Sequence, residues 1–191
     1  MKLYTLLFLA LALTLVSACS SPEGKTPAEQ RTYALMIRDE ALTQLYARNP
    51  EAKAAVAAAP GYAFLSGFAA HPGLLTFANA YGIIQNNKTG KQTHIRMGRF
   101  GIGPGLAVKG YYVVATLESE EAVAAAEKGL WTGGGLAEAS FKFGTFGGCA
   151  AAEGYAGGSG QSWLWTHTGV ALELAAVYGK LGPEEELNAA K

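Results

Sequence analysis

Histidine and aspartate, which often carry acid-base chemistry, are scarce in this chain of 191 residues. There are three histidines and a single aspartate, Asp39. His71 precedes a proline in a predicted turn, and His94 and His167 lie in predicted strands. No pair of histidines has the spacing of metal ligands. We therefore expect no metal site and no catalytic residue among them, and we interpret Asp39 as part of a solvated helix face.

Glycine-rich segments suggest three kinds of site, and each motif is incomplete. The Gly-Lys pairs at Gly24, Gly90 and Gly179 lack the upstream glycine of a phosphate-binding loop. Residues 101–106 lack the third glycine of the dinucleotide motif, and residues 157–161 lack the last glycine of a nucleophile elbow. We interpret both segments as tight turns, and we expect neither a cofactor nor enzymatic activity.

The N-terminus resembles a bacterial lipoprotein signal peptide. Lys2 provides a basic start, residues 3–16 form an apolar run, and two small residues precede Cys19. A cysteine thiolate can accept a diacylglyceryl group, so we expect removal of residues 1–18 and lipidation of Cys19. The alternative is an uncleaved membrane helix, which would need about 20 apolar residues. Residues 19–26 would then form a lipidated tether.

Acylation would hold the mature protein on a membrane without a transmembrane span, because two acyl chains anchor far more firmly than one. Ser20 follows the cysteine where some lipoproteins have an aspartate. Resemblance to lipoproteins of bacteria with two membranes implies that this serine permits transfer to the outer membrane. We expect a location in the bacterial cell envelope, on the outer membrane facing the periplasm.

Cys149 would be the only thiol of the mature chain once Cys19 is acylated, so no intramolecular disulfide is expected. It lies between glycines and alanines, without a neighbouring base. This setting favours a small buried side chain over a reactive thiol.

Charges are distributed unevenly, although 15 basic and 15 acidic residues balance overall. Between Glu51 and Glu118 the chain has basic residues and no acidic one. Near a membrane, anionic headgroups attract each basic residue by about 1 kcal/mol. We predict an exposed basic hairpin whose partners are anionic membrane lipids, not nucleic acid; the alternative is an ordinary solvated face. The predicted lipid-binding residues are Lys88, Lys91, Arg96, Arg99 and Lys109.

Two helices are predicted at the start of the folded region. Residues 26–29 read Thr-Pro-Ala-Glu, which combines an N-cap, a first-turn proline and a capping-box glutamate. Apolar residues then recur at helical spacing as far as Asn49, after which Pro50 starts a second helix. The pattern predicts an αα unit over residues 27–58.

Short aromatic and β-branched runs broken by glycine follow, and they predict a sheet. Strands are expected over residues 62–65 and 74–77. Residues 86–90 are typical of a turn, and residues 92–96 alternate as a half-exposed hairpin strand.

The second half of the chain adds further strands. Residues 111–117 are apolar on both faces and predict a central strand. Ser119 is expected to cap a helix that reaches Lys128. A long strand bent at Gly169 is predicted over residues 163–178, and residues 183–191 are interpreted as an acidic, solvated tail.

Several glycine-aromatic motifs occur in an order that carries a resemblance. They are residues 61–65, 79–83, 99–105, 111–123 and 169–179. Together they resemble the SYLF lipid-binding family, which includes yeast and animal phosphoinositide-binding, actin-associated proteins and bacterial lipoproteins. The similarity covers roughly residues 30–180 and implies that membrane lipid is the ligand.

One SYLF-like domain is predicted over residues 27–182. Its expected class is α+β, with N-terminal helices packed on a twisted, mostly antiparallel, barrel- or sandwich-like β-sheet. The expected function is that of a non-catalytic envelope lipoprotein whose basic hairpin binds anionic lipid or another polyanionic envelope surface. The alternative is a carrier that encloses a small hydrophobic ligand in a curved apolar sheet containing Trp163 and Trp165.

Overall fold

A computed structural model describes residues 21–129, 134–143, 146–155 and 160–189. The predicted signal peptide and Cys19 lie outside the described residues. The backbone of Cys149 lies in a described strand, but its side chain lies outside the description. What the sequence predicts for these features therefore stays a prediction.

The two predicted N-terminal helices are confirmed. Helix α1 spans Pro27–Arg48 and helix α2 spans Pro50–Ala58. Thr26 caps α1, because its hydroxyl accepts a hydrogen bond from the Glu29 N–H at 3.3 Å. The Glu29 carboxylate accepts one in return from the Thr26 N–H at 3.1 Å. Among the residues that the structure describes, no helix combines the length and apolar character that crossing a membrane would need.

Two long strands form the first hairpin. Strand β1 spans Gly61–Asn86, strand β2 spans Gln92–Leu117, and they pair antiparallel along nearly their whole length. The turn predicted over residues 86–90 is confirmed. The prediction of two separate strands between residues 62 and 77 is wrong, because the proline and glycines there bend the strand at a bulge without ending the ladder.

Strand β1 bends back around Gly73, whose φ of +101° lies in the region that favours glycine. The two ends of the strand meet, since the N–H of Asn87 donates to the carbonyl of Pro60 at 2.8 Å. Between the ends, a Cβ on Gly82 would collide with the carbonyl oxygen of Phe64. The bent strand therefore has two arms that pack against each other.

Three more strands complete the sheet. They are β3 at Gly134–Phe143, β4 at Phe146–Tyr155 and β5 at Ser162–Pro183. The strands pair antiparallel in the order β1-β2-β5-β3-β4. The predicted α+β class is confirmed. In the described residues β1 and β4 are not paired with each other, so the sheet is open, which does not support the barrel-like prediction and fits a sandwich loosely.

The predicted features of the second half of the chain are confirmed in outline. Residues 111–117 are buried in β2 between β1 and β5. Helix α3 spans Glu120–Glu127, and Ser119 caps it by accepting from the Ala122 N–H at 3.1 Å. Strand β5 is one long strand in which Gly169 has a φ of +95°.

The core has two layers, one on each face of the bent sheet. The inner layer joins both arms of the sheet, and Val123 of α3 packs against it. The outer layer lies under the helices, where Leu45 of α1 and Val56 of α2 pack with Phe64 and Tyr112. The helices thus cover the ends of the strands. Neither core layer includes residues at the bend around Gly73.

The C-terminal segment is not the solvated tail that its acidic residues predicted. A short helix, α4, spans Glu185–Ala189, and Leu187 is buried. The Asn188 side chain donates to the carbonyl of His94 at 2.7 Å and accepts from the His94 N–H at 2.9 Å. The segment is therefore docked on the domain, because Leu187 is buried and the Asn188 amide bonds to the backbone of β2.

Candidate functional site

Lys88 and Lys91 lie at the hairpin turn, and both are exposed, as predicted. Each has an acidic partner on α3: Lys88 Nζ is 3.0 Å from Glu120, and Lys91 Nζ is 2.8 Å from Glu127. The acidic cluster that follows β2 in the sequence is thus folded onto the turn. The positive charge of the hairpin is partly neutralised, which the separation of the charges along the sequence did not indicate.

Arg96 is half-exposed on the outer face of β2. Its guanidinium lies 2.6 Å from the carboxylate of Glu184 and donates to the hydroxyl of Ser21 at 3.3 Å. Ser21 is two residues after the predicted lipidation site, Cys19. The segment that follows the predicted lipidation site therefore contacts β2 at Arg96.

Arg99 and Lys109 are buried, which contradicts the predicted exposure of Arg99 and does not fit the predicted lipid-binding role of either residue. Only 5% of Arg99 and 1% of Lys109 is exposed. From Arg96 to Ile102 the strand alternates between exposed even positions and buried odd ones, and Lys109 continues the odd set. The bent sheet encloses these odd positions, so these two cations point inward while Arg96 points outward.

The enclosed cations belong to a buried ionic cluster centred on Glu173 of β5. Lys109 Nζ lies 2.5 Å from one carboxylate oxygen, and His71 Nδ1 lies 2.8 Å from the other. His71 Nε2 is 2.9 Å from the carbonyl oxygen of Gly103. The side chains of His71, Lys109 and Glu173 are fully buried. The arrangement fixes three strands to one another.

Arg99 adds a second cation near this cluster. Its guanidinium lies 5.5 Å from the centre of the Tyr111 ring, and Lys109 Nζ lies 5.8 Å from the same centre. Burial would raise the pKa of Glu173, but the charge and hydrogen bond of Lys109, the hydrogen bond of His71 and the charge of Arg99 outweigh it. The pKa of Glu173 is therefore lowered, and the carboxylate stays ionised.

The sequence reasoning missed this cluster. The prediction that His71 lies in a turn is wrong, because the residue lies within β1. The sequence predicts a strand at Glu173 but indicates no function for its carboxylate. The sequence does carry a signal, since Glu173 is the one acid in a continuous apolar run of β5, and Lys109 is the one base in a similar run of β2.

The other two histidines lie in strands, as predicted. His94 is buried in β2, and the imidazole of His167 stacks on Tyr112 with ring centres 4.2 Å apart. Burial lowers the pKa of His167, and the charge of Glu40 opposes this. Within the described residues, His, Cys, Asp and Glu side chains form no group that could hold a metal ion.

An apolar surface covers the outside of the sheet around its bend. We define it as the outward-facing side chains of residues 74–77 in β1, 100–108 in β2 and 170–178 in β5. Eleven of the twelve large apolar side chains that are exposed in the described residues lie on it. Leu106 and Leu172 are the most exposed, at 70% and 69%. A patch of this extent usually marks an interaction site.

One margin of the apolar surface is aromatic and then basic. Phe77, Phe100 and Tyr178 are register partners across the three strands, and the last two rings are 5.6 Å apart. Beyond this row, Arg96 and Lys180 are exposed at even positions of β2 and β5. Aliphatic, aromatic and cationic side chains thus follow one another from the bend outward.

The two tryptophans proposed for a hydrophobic ligand do not enclose a cavity. Trp165 is buried against Tyr112, with ring centres 5.6 Å apart, and its Nε1 donates to Gln44 at 3.4 Å. Both tryptophans line a small, open surface depression of about 200 Å³ beside Arg48. The Trp165 ring therefore serves the packing of α1 on the sheet.

No protein-family model matches the chain, and no curated protein matches it.

Proposed function

We propose that this chain is a non-catalytic lipoprotein of the bacterial envelope, anchored through acylated Cys19, whose folded domain binds anionic lipid or another polyanionic envelope surface. The observation that carries the proposal is the contact between Arg96 and Ser21. The resemblance to the SYLF family supports the same ligand class.

The contact brings the predicted anchor close to exposed positive charge. Two residues span at most about 7 Å, so the acylated Cys19 and the guanidinium of Arg96 would share the headgroup layer. Lys180 lies on the neighbouring strand, with Gly182 of the same strand opposite Arg96. Each such cation near an anionic surface contributes about 1 kcal/mol.

The binding set is therefore revised to Arg96 and Lys180, with secondary roles for Lys88 and Lys91. Arg96 is also paired, with Glu184, so its position beside Ser21 is what distinguishes it. Lys88 and Lys91 pair with α3 and lie five or more residues farther along the hairpin. Arg99 and Lys109 are excluded, since both are buried. The same burial supports a non-catalytic role, because the His71–Glu173 pair is closed to a substrate.

The test uses the chain from residue 19 onward with Cys19→Ser, which retains every described residue and cannot carry the acyl anchor. At low salt this protein should co-sediment with vesicles that contain anionic lipid. Arg96→Glu with Lys180→Glu changes the charge by four units and should abolish most of this binding. Arg48→Glu with Lys53→Glu, an equal change at exposed positions of the helices, should not.

The proposal is rejected if both double variants bind anionic vesicles as the unsubstituted chain does. It is also rejected if the full chain with Cys19→Ser remains in the membrane fraction and still incorporates lipid label. Circular dichroism of each variant shows whether the fold is retained.

The hydrophobic-carrier alternative has one structural feature in its favour. An open apolar depression of about 460 Å³ runs between β2 and β5 and is lined by Leu106, Leu172 and Leu174. Its openness favours contact with an extended apolar layer over enclosure of a small molecule.

A further inference from the structure

We infer that the apolar surface inserts into the acyl-chain layer of the membrane leaflet that holds the Cys19 anchor. The inference deepens the proposed function and rests on it for the choice of membrane. It names a second mode of contact, burial of apolar side chains, in addition to charge.

On this part of the sheet the apolar side chains face outward and the charged side chains face inward, the reverse of the usual arrangement in water. On β5, Leu172 and Leu174 point outward and are more than half exposed, while Glu173 between them is buried. On β2, Val108 is exposed, and Lys109 next to it is enclosed. Alternation of this kind, apolar outside and charged inside, is favourable when the outer neighbour is hydrocarbon.

The backbone of the strands that carry the apolar surface is hydrogen-bonded within the sheet. Hydrocarbon offers no hydrogen-bond partners, so backbone N–H and C=O groups there must be bonded within the protein. Strand β2 is paired on both sides, with β1 and β5, and β5 is paired with β2 and β3. The two strands that carry most of the apolar surface therefore meet this requirement through their ladders, except at Gly103 and Pro104, which have no register partner. There the Gly103 carbonyl lies 2.9 Å from His71 Nε2, and proline has no N–H.

The length of the apolar surface along the strands matches the thickness of one membrane leaflet. From Pro104, near the bend, to Phe100 there are four residues, or about 13 Å at the usual rise of a strand. One leaflet contributes about half of a hydrocarbon core near 30 Å thick. The aliphatic part of the surface therefore fits a single leaflet, with the row of Phe77, Phe100 and Tyr178 at the interface that aromatic residues prefer.

The exposed cations and the predicted lipid anchor lie on the same side of the apolar surface. Arg96 and Lys180 lie beyond the aromatic row, where lipid headgroups would be, and Ser21 contacts Arg96. The lipid on Cys19 would then enter the same leaflet on the same side of the domain. A second copy of the chain or a small ligand would cover the apolar side chains, but neither accounts for this order of layers.

The experiment measures binding of the chain from residue 19 with Cys19→Ser to neutral phosphatidylcholine vesicles and to anionic vesicles in 1 M salt. Salt at this concentration reduces the Debye length to about 3 Å and suppresses binding through charge. We expect residual, salt-resistant binding. Leu106→Gln with Leu172→Gln should lower its partition coefficient tenfold or more, because both leucines leave the acyl layer.

Met36→Gln is the matched control, because Met36 is exposed to 54% on α1, away from the apolar surface. This variant should bind as the unsubstituted chain does. Thermal unfolding should be similar for all three chains, since the substituted positions are exposed.

Three results would overturn the inference. The first is the absence of salt-resistant binding, and the second is equal binding by the Leu106→Gln, Leu172→Gln variant. The third is a dimer in light scattering that this variant converts to a monomer without any vesicle binding, which would assign the surface to a second copy. Failure of the charge-reversal test alone would reject the electrostatic proposal and leave salt-resistant insertion standing.

Discussion

Glu173 is an anion enclosed by cations. Its two oxygens contact Lys109 and His71, and the charge of Arg99 acts on it as well. Removal of one partner of a buried ion pair leaves an uncompensated charge, which usually costs more than the pair itself contributes. The stability of the bend therefore depends on this one carboxylate.

We predict that Glu173→Gln lowers the free energy of unfolding by about 3–5 kcal/mol, since Lys109 would remain buried without its counter-charge. Urea unfolding followed by circular dichroism measures the change. Glu184→Gln, which breaks the partly exposed pair with Arg96, is the control and should cost at most about 1 kcal/mol.

The double variant Glu173→Gln with Lys109→Met separates charge from shape. It removes both charges, so it should recover a large part of the loss seen in Glu173→Gln. If the double variant is as unstable as the sum of the two single variants, the ionic pairing is not the cause.

At the scale of elements, the decisive feature is the close approach of the two arms of β1. Gly82 lies against the backbone of Phe64, where a Cβ has no room. Other glycines of the sheet, such as Gly67 and Gly103, also lie against backbone carbonyls, but Gly98 does not: a Cβ there would meet only the Asn79 side chain, at 3.8 Å.

We predict that Gly82→Ala destabilises the protein by about 1–3 kcal/mol, because the arms must move apart to admit the methyl group. Gly98→Ala should change stability by no more than about 0.5 kcal/mol. The midpoints of thermal unfolding compare the two variants with the unsubstituted chain. Equal midpoints for both would show that the arms do not pack as closely as described.

Across the whole molecule, opposite charges from distant parts of the chain meet. Lys88 and Lys91 pair with α3, Arg96 pairs with Glu184, and Lys109 pairs with Glu173. Exposed pairs contribute little, so the buried carboxylate should dominate the acid dependence of stability.

The pKa of Glu173 is lowered in the folded state from its ordinary value of 4.5. Its contribution to stability is therefore complete above the unfolded-state pKa, and it is lost as the pH falls through the lower, folded-state pKa. Between about pH 5 and pH 2, the free energy of unfolding should fall more steeply for the unsubstituted chain than for Glu173→Gln with Lys109→Met. Urea titrations at several pH values measure both slopes, and parallel slopes would contradict the assignment.

The sequence by itself determined the elements whose signals are local. The capping box at Thr26, the proline at the start of α2 and the cap at Ser119 each depend on neighbours within four residues, and the structure confirms all three helices. The turn at residues 86–90 and the apolar strand at residues 111–117 were predictable for the same reason.

Only the tertiary structure decided which face of each strand is enclosed. Alternation along β2 separates Arg96 from Arg99, but it does not say which set meets solvent, because both faces of this strand carry apolar residues. Long-range bending of β1 and β2 placed Arg99 and Lys109 inside and Leu106 outside. The buried partner Glu173 is 64 residues from Lys109, so no local pattern could pair them.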